Sequence, residues 1–303
     1  MTFLITGATG FLGRRLVDLL LSEGHSVAYL ARKRSTSLDP RAAFHLWTHR
    51  AQMLLELKAV PTCDAVIHLA GESITQRWTN EAKTRIRESR VLLTRDLVDG
   101  IGQLQHKPGV LISASAIGYY GNRGDEVLTE ESGPGKGFLA DLCVRWEEEA
   151  DRARQFGLRV VKMRTGIVLG EDGGALKKML PPFRMGLGGR LGSGRQWMSW
   201  IHREDLLRMI MWTATAPNVA GVLNGTAPAP VTNAQFTQEL AHAIRKPAFI
   251  PAPRLALRLV LGEMSEMLFD SIRAIPAAAE QQGFRFNFRD LQAALAAIPR
   301  IAD

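Results

Sequence analysis

Residues 1–13 read MTFLITGATGFLG. Phe3, Leu4 and Ile5 make a short apolar run suited to a buried parallel strand. Thr6–Gly10 forms a turn, and from Phe11 to Leu21 apolar residues recur at helical spacing. A strand, a glycine-rich turn and a helix in that order make Gly7-x-x-Gly10-x-x-Gly13 a dinucleotide-site pattern. Its glycines serve a sharp turn, close backbone approach to a pyrophosphate, and tight helix-on-sheet packing. The helix then aims unpaired N–H groups and its positive dipole end at the phosphates. Gly7, Thr9, Gly10, Phe11, Leu12 and Gly13 are therefore the first candidate cofactor contacts.

Working outward, Ser26–Ala31 reads as a second strand, followed by Arg32-Lys33-Arg34. NAD-selective sites place an acid near the end of this strand; here a basic trio stands where a 2′-phosphate would lie. That predicts NADP(H), with Arg32 as the contact; a solvated charge cluster is the plainer alternative. A third strand is predicted near Ala43–Trp47. Asp64–Gly71 is a clearer strand ending in a small-residue turn, Leu69-Ala70-Gly71, where backbone can approach a cofactor. His68, inside the apolar run, reads as a packed core histidine. From Asn80 to Val98 the pattern predicts one long helix burying Ile86, Leu93 and Leu97.

The next strand, Gly109–Ala116, carries Ser113 and Ser115 and leads into Tyr119-Tyr120. Open α/β sheets bind ligands at the carboxyl ends of their strands. A second long helix, near Leu139–Phe156, contains Glu147, Glu148 and Glu149, expected to face solvent. A strand at Leu158–Arg164 is expected to continue to Gly170. Beyond it, Gly186–Gly194 is glycine-rich and basic, either a clasp for a substrate diphosphate or a connector. Trp200–Leu206 introduces another helix, Val222–Gly225 is a late strand, and Thr232 or Asn233 caps the helix after it. A Pro-containing link at 247–253 and a terminal helix near Leu291–Ile298 follow.

The whole chain has 303 residues, 46% hydrophobic and 22% charged, which suits a folded domain with a full core. No apolar run reaches the roughly 18–20 residues of a membrane span, and the first residues enter a strand rather than a leader pattern. Cys63 and Cys143 lack metal or redox spacing, predicting no metal and a reducing, cytoplasmic setting. The net charge of +8 is scattered, without a nucleic-acid motif. It suits anionic small molecules, or simply a basic solvated surface.

Several further motifs accompany the opening one: HLAGESI at 68–74, RW…K…SR…T across 77–94, SASAIGYYG at 113–121, RWEE at 145–148, RTGIVLG at 164–170, WIHREDL at 200–206 and GFRF at 283–286. With these, the chain resembles the extended short-chain dehydrogenase/reductases. The match is to the atypical "epimerase family protein" branch of the NAD(P)-dependent epimerase/dehydratase superfamily. The resemblance implies an α/β fold: a doubly wound parallel Rossmann sheet with a smaller C-terminal substrate lobe. The NADP-binding part would be 1–170, with 200–226 returning to the sheet; 171–199 and 227–303 would form the lobe. It also implies Arg32 at an NADP phosphate, the Leu69–Gly71 backbone beside ribose and nicotinamide, and Ser113 and Ser115 at the nicotinamide end. Members of the superfamily often form homodimers.

One departure stands out. Active members carry Tyr-x-x-x-Lys on the helix after the serine-bearing strand, the lysine lowering the tyrosine pKa and holding the ribose. Here that helix reads FLADLCVR, with Leu139 and Cys143 near the two positions. Ser115 and Tyr120 are the replacement candidates for catalysis, although tyrosines beside a strand end often only cap a core. The implied function is an NADP(H)-dependent oxidoreductase or nucleotide-sugar epimerase-like enzyme acting on a carbonyl compound or sugar nucleotide. The rival is a non-catalytic NADPH-sensing protein that binds partners.

Overall fold

Apolar runs without polar alternation make strands that must be covered on both faces, and that requirement organises the molecule. The structure, a computed structural model, describes residues 1–47, 57–58, 60, 62–299 and 301. In chain order the strands are β1 (Thr2–Thr6), β2 (Ser26–Ala31), β3 (Ala43–Leu46), β4 (Ala65–His68) and β5 (Val110–Ala116). Then come β6 (Val127–Leu128), β7 (Arg159–Thr165), β8 (Ile167–Leu169), β9 (Trp197–Met198), β10 (Trp200–His202) and β11 (Gly221–Gly225). β12 (Val231–Thr232) and β13 (Arg273–Ala274) complete them.

Seven of these form one sheet in the order β11-β7-β5-β4-β1-β2-β3, every pairing parallel. From β1 the chain builds outward to β2 and β3, then returns to β4 on the other side. That reversal puts a crevice at the carboxyl ends of β1 and β4, the place where such sheets take ligands. One face is covered by Leu16, Val17 and Leu20 of helix Phe11–Ser22 and by Leu206, Leu207 and Ile210 of helix Arg203–Thr215. The other is covered by Leu97, Val98 and Ile101 of helix Leu93–Gly102 and by Ala150 of helix Phe138–Asp151. This is the doubly wound Rossmann architecture.

Three local departures from the sequence reading have physical causes. The strand read as continuous to Gly170 leaves the sheet at Gly166, where a Cβ would lie 2.5 Å from the Ser199 carbonyl oxygen. β8 pairs with β10 instead, in a separate two-stranded sheet. Around that pair a hydrophobic cluster distinct from those covering the main sheet gathers Leu176, Leu180, Phe183, Trp200, Phe236 and Leu240. The single helix read from Asn80 to Val98 is α-helical over Asn80–Arg87 and Leu93–Gly102, with a π-helical turn at Glu88–Leu92 between them. The helix read to Phe156 ends at Asp151 and tightens into a 3₁₀ turn over Arg152–Phe156.

The glycine-rich 186–194 segment packs along the Pro-containing link. A Cβ at Gly189 would fall 1.8 Å from the Ile250 carbonyl oxygen, and Gly192 N–H donates to the Ala252 carbonyl at 3.0 Å. Thr232 caps helix Asn233–Ile244 through a reciprocal box with Gln235. Among the described residues no helix is long and apolar enough to cross a membrane, and no cluster of three or more His, Cys, Asp or Glu is arranged to hold a metal.

At Gly13 a Cβ would lie 2.2 Å from the Gly7 carbonyl oxygen and 2.6 Å from Ala8 Cα. Gly13→Ala is expected to lower stability by about 3 kcal/mol through overpacking, measured by urea unfolding, whereas Gly24→Ala, with open space around it, serves as the comparison for the strain of a positive φ alone.

Candidate dinucleotide-binding site

The turn after β1 is held by its own backbone. Gly10 N–H donates to the Gly7 carbonyl at 3.0 Å, and Gly7 has φ +75°, a conformation that favours glycine. A Cβ at Gly7 would lie 2.7 Å from the backbone nitrogen of Ala70, so the turn and the end of β4 are in backbone contact. Gly7 and Gly13 are thus required by packing, while Thr9 and Gly10 face outward. The helix beginning at Phe11 has no side-chain cap and no acid in its first turn. Its N-terminus is therefore open to an anion. A Cβ at Gly10 would meet only the Gly7 carbonyl oxygen, at 3.2 Å, so the outer face of the turn is a cradle that fits a pyrophosphate.

The Phe11 side chain has another task. A Cβ at Gly173 would lie 2.4 Å from its ring, and the Arg203 guanidinium stands 5.3 Å from the ring centroid. Phe11 therefore seats the 170–174 loop against the glycine turn. Leu12 packs against the adjoining core.

Register brings Arg32 to the same place. Thr6 of β1 pairs with Leu30 of β2, so Arg32 lies just past the strand end, alongside the turn. Arg32, Lys33 and Arg34 are exposed, and none makes an ion pair with a described residue. On the other side Leu69 N–H donates to the Thr6 carbonyl at 3.1 Å, and Gly71 is exposed at the rim.

A buried hydrogen-bond chain fixes this junction. Thr94 Oγ1 donates to the Arg90 carbonyl at 2.6 Å, so it accepts from His68 Nε2 at 3.0 Å. His68 Nδ1 is then the acceptor of the Thr6 hydroxyl at 2.6 Å. His68 has no exposed surface, and burial first, then the Arg90 charge, push its pKa down to about 4. It is a neutral core histidine carrying its proton on Nε2.

The serines and tyrosine expected near the chemistry sit deeper. Ser113 pairs in register with His68 and is 1% exposed. Ser115 donates to Glu147 Oε1 at 2.7 Å. Tyr120 has no exposed surface; its hydroxyl donates to Asn224 Oδ1 at 2.7 Å and accepts from Arg164 at 3.1 Å. Arg164 makes a two-pronged pair with Glu147, at 2.8 and 2.9 Å, and stacks 3.3 Å from the Tyr119 ring centroid. Burial opposes the Arg164 charge, but Glu147 outweighs it and holds the guanidinium above its ordinary range.

This corrects the expectation that Glu147, Glu148 and Glu149 all face solvent. Only Glu148 is exposed; Glu147 meets Arg164, and Glu149 meets Arg95 and Arg152. Arg164, a charge inside an apolar strand, was the available signal for that pairing. Leu139 packs over Gly118, and Cys143 is buried, its thiol pushed up to about 12 by burial and then by Glu147. So buried a thiol keeps its proton at neutral pH.

A doubly wound parallel sheet with an open glycine turn at its switch point defines a protein of the Rossmann dinucleotide-binding class. More narrowly, the chain belongs to the NAD dependent epimerase/dehydratase family, whose profile matches residues 3–224, while residues 252–298 match a domain of unknown function, DUF1731. It is 40% identical to the Arabidopsis thaliana epimerase family protein SDR39U1 homolog, chloroplastic, over 98% of this chain and 86% of that one. It is 38% identical to Bacillus subtilis epimerase family protein YfhF over 100% of this chain and 99% of that one. The crystal structure of human epimerase family protein SDR39U1 (isoform 2) with NADPH matches at TM-score 0.88 and 35% identity, covering 98% of this chain and 99% of that chain.

Two tests follow from the buried groups. Glu147→Ala strands the Arg164 charge and is expected to cost about 3–5 kcal/mol in urea unfolding, against about 0.5 kcal/mol or less for Glu148→Ala. For His68, a folded pKa of about 4 lies below the unfolded value, so its contribution is complete above the unfolded pKa and fades as pH falls toward 4. It should remove about 2 kcal/mol between pH 7 and pH 5. His68→Gln should show a correspondingly smaller loss over that interval.

Proposed function

We propose that the chain is an NADP(H)-binding atypical short-chain dehydrogenase/reductase, an oxidoreductase or nucleotide-sugar epimerase-like enzyme. The observation that carries this reading is the open glycine turn standing beside an exposed Arg32-Lys33-Arg34, which no described carboxylate pairs, with no acid at the end of β2. Gly7, Gly10 and Gly13 shape the phosphate cradle, and Arg32 holds the 2′-phosphate. The Leu69–Gly71 backbone borders the ribose. NADPH in the human relative supports the same cofactor here. Bound there, a reduced nicotinamide supplies a hydride.

The substrate side is the smaller lobe. A cavity of about 450 Å³ opens between Asn122, Gly124 and Asp125, just past Tyr119-Tyr120 in sequence, and Arg195, Arg254, Phe269 and Ser271 of the lobe. Two guanidinium-bearing side chains and an aromatic ring suit an anionic sugar nucleotide or a small charged carbonyl compound. In this reading Ser115 and Tyr120 hold the exit of β5 rigid through Glu147, Asn224 and Arg164, and do not carry the proton themselves.

A second reading, an NADPH sensor that binds partners without turnover, is favoured by Leu139 and Cys143 where a tyrosine and a lysine would stand. The two readings separate when the wild-type protein with NADPH meets a panel of carbonyl compounds and sugar nucleotides. Oxidation with one of them supports the enzyme; binding without turnover on any supports the sensor.

The cofactor assignment makes its own prediction. Arg32→Asp should weaken NADPH by about tenfold or more and NADH much less, in titrations following bound-nucleotide fluorescence. Equal losses for both nucleotides would remove Arg32 from the 2′-phosphate.

A further inference from the structure

Helix Asn233–Ile244 buries Phe236, Leu240 and Ile244 in the hydrophobic cluster around β8 and β10. Its opposite face carries Ala234, Gln238 and His242 at four-residue spacing and lines a cavity of about 570 Å³. Arg190 of the glycine-rich segment and Lys246 and Phe249 of the Pro-containing link form the other walls. Both walls are fixed by backbone. Ile250 N–H donates to the Gly188 carbonyl at 3.2 Å, and Ala252 N–H to the Arg190 carbonyl at 2.9 Å. Lys246 is placed by a left-handed turn at Arg245, which has φ 54° and is the one non-glycine among the described residues with positive φ. That turn ends the helix, with Lys246 N–H donating to the Ala241 carbonyl at 3.1 Å.

The chemistry of the walls is one-sided. Arg190, His242 and Lys246 are exposed, and none makes an ion pair with a described residue. No acidic side chain lines the cavity, and the stretches 184–195 and 240–262 contain no Asp or Glu at all. A concave surface carrying one sign of charge concentrates the opposite ion. Arg and Lys are the side chains that take phosphate oxygens, through a planar fork and a point charge respectively. Beside them Phe249 is left 76% exposed. A ring so placed offers a stacking surface whose burial by a flat apolar partner is favourable. The volume lies within the range of small-molecule sites.

We propose that this cavity is a second ligand site, taking an organic phosphate monoester whose body is flat and apolar. Arg190 and Lys246 hold the phosphate oxygens from opposite walls, and the body lies against Phe249. The site shares no lining residue with the cavity at Arg195 and Arg254, and none with the glycine turn at Gly7–Gly13. The basic, glycine-rich segment thus acts as a clasp through Arg190, over this cavity rather than over the crevice.

The test is a calorimetric titration of the full chain with 1-naphthyl phosphate, with and without saturating NADPH. Wild type should bind one equivalent, with the same affinity whether or not NADPH is present, and should bind inorganic phosphate at least about tenfold more weakly because the ring is missing. Arg190→Gln and Lys246→Met should each lose about tenfold in affinity for 1-naphthyl phosphate, while Arg254→Gln keeps it. Both altered side chains are exposed, so melting temperatures should stay at the wild-type value. Should either variant fold poorly, the other decides. Absence of saturable binding overturns the proposal. So does competition by NADPH, which puts the compound in the crevice, and so does a loss with Arg254→Gln alone, which puts it in the neighbouring cavity. Equal affinity for inorganic phosphate overturns it as well.

Discussion

The contact between the Gly7 turn and the Leu69–Ala70 backbone is the constraint on which the rest of the site depends. With a Cβ at Gly7 only 2.7 Å from Ala70 nitrogen, the turn after β1 cannot carry a side chain at Gly7 where it meets the segment after β4. That closeness leaves the ligand-facing side of the crevice lined with backbone, which approaches a phosphate or ribose more nearly than any side chain allows. Behind it, Thr6, His68 and Thr94 hold β1, β4 and helix Leu93–Gly102 in one hydrogen-bonded line. A buried histidine thus holds rigid the junction beside the glycine turn.

A second buried system does the same for the neighbouring strands. Arg164, Glu147, Ser115, Tyr120 and Asn224 link β5, β7, β11 and helix Phe138–Asp151. Such a network is costly when half-satisfied and rigid when complete. Here the Arg164–Glu147 pair is two-pronged, and the Tyr120 hydroxyl both donates and accepts. The groups that look most reactive in the sequence are therefore the ones most firmly occupied. Arg32, by contrast, presents an exposed cation just past the end of β2 that pairs with no described carboxylate.

Much of this was legible from residue order because the parallel sheet leaves so plain a trace. Runs such as Phe3–Ile5 and Ala65–Ile67 have no polar alternation, and the glycine spacing identifies the first turn. The π turn was not legible, since Ile86, Leu93 and Leu97 remain compatible with an unbroken helical stripe. Nor was the burial of Glu147: three successive glutamates look like a solvated face until Arg164, seventeen residues away, is brought beneath one of them. The exit of β8 from the sheet depends on the close approach of Gly166 to Ser199, a tertiary contact without a local signature.

The most direct measurement is a calorimetric titration of the purified protein with NADPH and, separately, with NADH. The account predicts saturable binding at one site per chain, with NADPH the tighter ligand. Absence of saturable binding for both nucleotides would contradict it, because the cradle at Gly7–Gly13 and the cations beside it would then have no dinucleotide to hold.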